Sequence, residues 1–215
     1  MFTHEKARQC VVDLCIELSR RGYLAGTGGN VALRIDAGQF AVTPSATDYL
    51  TMSAADVCVL RLSDLARIEG DRAPSVETGL HAQVLRRRPD TQCSIHTHQP
   101  AASACALLGQ ALDVNEPDAR RALGPCVPVI GYMPSGTSLL AGMTGRALRS
   151  DVNAYLMRNH GVLCCGASVA AALLAVEQLE RLAQRRLSAR IAARACAEPQ
   201  RAAALRRVLA ALEGA

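Results

Sequence analysis

Apolar residues recur at helical spacing near the start of the chain. Val11, Leu14, Cys15 and Leu18 fall on one side of a helix predicted over 3–21, which Gly22 ends. The period then shortens. Residues 31–35 and 40–42 read as strands joined by a hairpin turn at Asp36-Ala37-Gly38-Gln39, and 57–62 as a further strand paired with a short one before Gly70. Pro74-Ser75-Val76-Glu77 predicts a helix start, with Ser75 capping free amides and Glu77 in the first turn, where negative charge is favoured. That helix should run to about Arg88 with Leu80, Val84 and Leu85 inward, until Pro89 stops it. Beyond it the pattern predicts a strand at 93–98, a helix at 100–108, a short strand at 127–130 and a helix at 137–149. Two strands, 154–158 and 162–165, flank Asn159-His160-Gly161, and helices at 168–195 and 199–213 are broken near Pro199. Strands and helices alternate irregularly, with hairpin-like joins. The expected fold is therefore an α/β or α+β sheet covered by helices, in one domain without repeat or linker.

Composition narrows the function classes. Only 3% of the 215 residues are aromatic and none is Trp, so the core must be aliphatic and Ala-rich. The formal charge of +5 is nearly all arginine, since Lys6 is the sole lysine. The short runs Arg86-Arg87-Arg88 and Arg185-Arg186 fall in or at the ends of predicted helices, and no basic stripe with aromatic platforms marks a nucleic-acid surface. Nine cysteines without a C-x-x-C pair lie mostly in apolar stretches, as free thiols of a reducing compartment do. Asp13 and Glu17 interrupt the early apolar stretch, so no signal-peptide core is expected, and no apolar run approaches the roughly 20 residues of a membrane helix. A cytoplasmic protein is expected.

The chemistry centres on histidine. In Ile95-His96-Thr97-His98 the two imidazoles stand at i and i+2, which on a strand share one face and can occupy neighbouring corners of a metal site. Such a pair alone is more often a pair of hydrogen-bonded structural residues. His160, at a predicted strand junction beside Gly161, supplies a third candidate ligand and shifts the balance to a metal. Glu77 is the natural fourth member, either completing the coordination or moving a proton, though a helix-dipole partner would look the same. His81, four residues on, could orient Glu77 but is first a satisfied structural residue; His4 is expected to be exposed. The loops at Gly28-Gly29-Asn30, Thr43-Pro44-Ser45 and Pro74-Ser75 offer hydroxyls and backbone amides that can cradle a phosphate or carboxylate.

Taken in order, Gly26-Thr27-Gly28-Gly29-Asn30, Thr43-Pro44-Ser45, Pro74-Ser75-Val76-Glu77, His81, Arg88-Pro89-Asp90, His96-Thr97-His98, Tyr132, Gly136-Thr137 and Asn159-His160-Gly161 give a sequence that resembles the class II aldolase/adducin family, most nearly its fuculose-phosphate aldolase branch. The resemblance runs over nearly the whole chain. It implies that 1–215 is one three-layer α/β/α domain with a mixed, largely antiparallel sheet, forming a homotetramer with active sites at subunit contacts. It further implies that His96, His98 and His160 bind Zn2+, or Mn2+ or Co2+, that Glu77 is the acid/base, and that Gly29, Asn30, Thr43, Ser45 and Ser75 receive the substrate. The implied activity is aldol cleavage of a ketose 1-phosphate (a fuculose, deoxyribulose or methylthioribulose phosphate) through a metal-stabilised enediolate. A decarboxylase, dehydratase or epimerase of a sugar acid or sugar phosphate would use the same site, and a non-catalytic adducin-like binding module is the reading from another class. The chain departs from the family at Ala46, where glycine is usual, and from the fuculose-phosphate aldolase branch at Val76, where that branch has a serine. Glu116-Pro117-Asp118 stands where that branch has a catalytic tyrosine, and the branch's C-terminal tyrosine has no counterpart.

Overall fold

The computed structural model describes residues 2–24 and 26–213. Helix α1 (His4–Arg20) is capped by Thr3, whose side chain accepts from the Lys6 amide, and buries the stripe containing Val11, Leu14, Cys15 and Leu18. The hairpin β1 (Asn30–Arg34) and β2 (Gln39–Val42) follows, then β3 (Cys58–Arg61) and β4 (Arg67–Glu69). Helix α2 (Thr78–Arg87) leads to β5 (Cys93–Thr97) and α3 (Pro100–Leu108). The next stretch holds β6 (Leu112–Asp113), α4 (Pro117–Leu123), β7 (Cys126–Val127), β8 (Val129–Ile130) and α5 (Ser138–Ala147). Strands β9 (Ala154–Met157) and β10 (Gly161–Gly166) then precede the long α6 (Val169–Ala197) and the final α7 (Ala202–Glu213).

Eight strands form the central sheet in the order β4-β3-β2-β1-β5-β10-β9-β8. Every neighbouring pair is antiparallel except β8 with β9, so the sheet is mixed but largely antiparallel. Alternation along the strands sends Val31, Leu33, Ile95, Leu156 and Val162 to a face covered by α1, α3 and α6. The intervening positions, among them Phe40, Leu60, Tyr155 and Leu163, meet α2 and α5 on the other face. The result is three layers, α/β/α, with sheet residues buried on both sides.

Three expectations need correction. Helix α2 begins at Thr78, with Glu77 at its N-cap in a non-helical conformation, because Ser75 instead accepts the Glu77 amide at 3.2 Å and closes a turn outside the helix. The strand predicted at 127–130 is two short strands, because Pro128 has no amide to donate; β7 pairs with β6 outside the main sheet and β8 with β9. His4 is not idle: its ring lies between Glu69 and Gln39, each 2.6 Å away, and ties α1 to the sheet edge. Helix α4, bracketed by Pro117 at its first turn and Gly124 after its end, and strand β6 fall in a stretch where the hydrophobic pattern predicts nothing.

The arginine run does structural work. Arg86 donates to the Leu62 and Ser63 carbonyls. Buried Arg88 donates to the carbonyls of Arg149 and Val152 and to the side chains of Asp90 and Asn153, joining α2 to the segment before β9. Among the described residues no helix is long and apolar enough to cross a membrane.

Candidate metal centre

The order of strands builds the centre. In the β1–β5 pairing Asn30 lies opposite His96, and directly opposed residues of a ladder share a face. Leu163 of β10 stands opposite His96 on the other side, so the turn before β10 brings His160 alongside. His98 follows one residue beyond the end of β5. Asn159 adopts a left-handed conformation with φ of 54°, which asparagine tolerates better than most residues. A Cβ on Gly161 would lie 2.5 Å from His98 Cδ2 and 2.6 Å from the Thr97 carbonyl, so only glycine lets the turn approach this closely.

The three imidazoles converge. Ring centroids are 4.8 Å apart for His96 and His98, 4.7 Å for His96 and His160, and 5.6 Å for His98 and His160. One nitrogen from each ring lies within 4.8 Å of the others. His96 Nδ1 is 2.8 Å from the Val162 carbonyl, which can only accept, so Nδ1 carries the proton and Nε2 presents its lone pair. His98 Nε2 faces that lone pair at 3.1 Å. His160 Nδ1 is buried without a hydrogen-bond partner among the described residues. Burial pushes His96 down to about 3 and also lowers His98, so both rings are neutral, the form that coordinates. This is a donor set that fits a divalent cation.

Glu77 closes the fourth side. Its Oε2 accepts from Asn30 Nδ2 at 2.8 Å and lies 3.3 Å from His96 Nε2. Its Oε1 accepts from Ser135 Oγ at 2.7 Å and lies 3.2 Å from His160 Nε2. Burial works to raise this carboxyl, but His160, His96, Asn30 and Ser135 together hold it well below the usual carboxylate range. A buried carboxylate beside three imidazoles can share a cation with them or exchange a proton with a bound substrate.

A cleft of about 260 Å³ opens from this centre, and Gly29, Asn30, Ser45 and Ser75 line it together with Glu77, His98 and His160. Thr43 does not line it. It is fully buried and its hydroxyl accepts the Val31 amide at 3.3 Å, because its place after β2 keeps it within the sheet. The amide of Asn30 is engaged at both ends, by Glu77 and by His81, so it faces the cleft without a free polar atom. Two participants escaped the sequence reading. Ser135 sat in a recognised loop with nothing local to single it out. Tyr49, also in the cleft wall, donates its hydroxyl to the Gly29 carbonyl and pins the small-residue loop.

Residues 9–187 match the family of the class II aldolase and adducin N-terminal domain. The chain belongs to this family. It is 33% identical over 181 residues to the 5-deoxy-D-ribulose 1-phosphate aldolase of Bacillus thuringiensis serovar kurstaki, covering 84% of each chain. It is 28% identical over 184 residues to the L-fuculose phosphate aldolase of Escherichia coli, covering 86% of this chain and 83% of that one. Among solved structures, an L-fuculose 1-phosphate aldolase superposes with a TM-score of 0.78 at 26% identity, covering 86% of both chains. For a member of this family, the histidine cluster is consistent with a metal-dependent enzyme of the class II aldolase type.

Proposed function

We propose that the chain, 1–215 as one class II aldolase/adducin domain, is a divalent-metal-dependent aldolase that cleaves a ketose 1-phosphate. The observation that carries this reading is the contact of one buried carboxylate, Glu77, with ring nitrogens of both His96 and His160. Burying a carboxylate against two imidazoles is costly, which favours a metal-binding, catalytic role over a non-catalytic module. His96, His98 and His160 would hold Zn2+, or Mn2+ or Co2+. When bound, the cation would supply Lewis-acid stabilisation of the negative charge that develops on substrate oxygens as the carbon–carbon bond breaks.

The chain's own residues divide the remaining work. Glu77 moves the proton to or from the carbon freed by cleavage; its Oε1, the oxygen beside Ser135 and His160, is not held by the Asn30 amide and is the one suited to carry that proton. Gly29, Ser45 and Ser75 offer small side chains, hydroxyls and backbone around the cleft for the substrate's phosphate. Val76 puts an exposed methyl-bearing side chain at this wall, which favours a small or apolar sugar tail over one that needs another hydroxyl donor.

The similarity to an enzyme called 5-deoxy-D-ribulose 1-phosphate aldolase supports a deoxypentulose phosphate as the first substrate to try. Incubation with a panel of ketose 1-phosphates, followed by NMR of the products, tests the reaction type. Aldol cleavage should release dihydroxyacetone phosphate and, in equal amount, an aldehyde carrying the remaining carbons of the sugar. Loss of carbon dioxide or water alone would replace the aldolase by a decarboxylase or dehydratase.

A further inference from the structure

Behind Glu77 lies a line of three buried polar side chains. Ser94 Oγ is 2.8 Å from His81 Nδ1, His81 Nε2 is 2.6 Å from Asn30 Oδ1, and Asn30 Nδ2 is 2.8 Å from Glu77 Oε2. Ser94 and His81 are wholly buried, and Asn30 and Glu77 are only 6% and 5% exposed. Three ordinary spacings create the line. Glu77 and His81 stand four apart at the start of α2, Ser94 and His96 stand two apart on β5, and Asn30 is the cross-strand partner of His96.

We propose that His81 and Ser94 are positioning residues, which fix the Asn30 amide so that its NH2 group, not its carbonyl, holds Glu77 in place. The proton pattern follows from chemistry. A carboxylate repels a carbonyl oxygen at 2.8 Å, so Asn30 must turn its NH2 to Glu77 and its Oδ1 to His81. His81 must then donate from Nε2, which leaves Nδ1 as an acceptor for the Ser94 hydroxyl. Every donor in the line points towards Glu77. Removing the His81 donor leaves the buried Asn30 Oδ1 without a partner, so the amide loses its tether and Glu77 can swing from the ring nitrogens beside it. This inference rests on the reading of Glu77 as the proton-moving group, but the amide orientation can be read without turnover.

Two substitutions separate the halves of His81. The Nε2 of glutamine in His81→Gln falls near the lost ring Nε2 and can still donate to Asn30. The shorter amide of His81→Asn reaches Ser94 but not Asn30. The side-chain amide protons of Asn30, assigned in 15N spectra by their loss in Asn30→Asp, report the orientation directly. In the wild type and His81→Gln, one of them should be shifted downfield and slow to exchange; in His81→Asn that signature should vanish, while metal content stays at the wild-type level. With a ketose 1-phosphate, kcat should fall about 10–100-fold in His81→Asn at nearly unchanged KM, and within about threefold of wild type in His81→Gln. Ser94→Ala, a smaller change, should broaden the Asn30 signal and lower kcat by about 3–10-fold. It serves as the test if His81→Asn does not fold.

An Asn30 signal and kcat both indifferent to His81→Asn in a metal-loaded, active enzyme would overturn the positioning role and leave the aldolase reading standing. Equal losses in His81→Gln and His81→Asn would overturn it too. If the amide responds as described but the wild type holds no metal and cleaves nothing, the aldolase reading fails and the positioning line stands.

Discussion

At the scale of single residues, Glu77 is the group on which the chemistry turns. Glu77→Gln keeps the shape and the contact with Asn30 but removes the charge and the mobile proton. We expect kcat to fall by about 10²–10⁴-fold with metal still bound, as metal analysis beside steady-state kinetics would show. The buried histidines set the response to acid. Burial lowers His81 to about 4 and His96 to about 3 from an ordinary 6.5, so these rings stay neutral in the folded chain where the unfolded chain already binds protons. Between pH 6.5 and these lower values the unfolded state therefore carries more protons, and stability falls as pH falls. For chelator-treated protein the loss should reach about 2 kcal/mol per buried histidine by pH 5. Urea unfolding at pH 7.5 and 5 measures it, and a flat profile would show that neither ring is held neutral.

Among the elements, turns carry the tightest demands. Gly161→Ala puts a methyl carbon into His98 and the Thr97 carbonyl, so the β9–β10 turn must withdraw and take His160 with it. We expect loss of metal and about 1–3 kcal/mol of stability, read by metal analysis and denaturant unfolding. Ala46 presents the opposite case. Its φ of 49° is the left-handed region, where the family usually has glycine. Relief of that strain offsets the extra freedom glycine gives the unfolded chain, so Ala46→Gly should leave stability within about 1 kcal/mol of wild type.

Much of this was legible in the chain. The i, i+2 spacing of His96 and His98 and the turn around His160 marked the centre, and apolar periodicity placed most helices and strands. What the spacing could not show is adjacency. Asn30 meets Glu77 and His96 only because β1 and β5 pair although the long segment 35–92 separates them, and Ser135 reaches Glu77 from a loop far along the chain. Thr43 failed as a cleft residue for the same reason, since its motif gave the loop but not which way the sheet would turn the hydroxyl. The short elements β6 and α4 were missed because two and seven residues hold too little periodic signal.

For the molecule as a whole, the exposed apolar residues Val76, Tyr132 and Leu139 lie on the α2–α5 side, around the segment that leads into the cleft. We propose that neighbouring copies cover them in a homotetramer whose sites lie at subunit contacts. Light scattering should then give about 91 kDa, four chains of 22.7 kDa, and a monomer would remove that part of the proposal. Metal should also stabilise the assembly by mass action, so that chelator lowers the melting temperature and added zinc or manganese restores it. The most direct test of the central claim is metal content by inductively coupled plasma mass spectrometry, comparing wild type with His96→Ala. About one divalent ion per chain in the wild type, lost in His96→Ala, is the expected result. No metal in either protein after reconstitution with zinc, manganese and cobalt would contradict it.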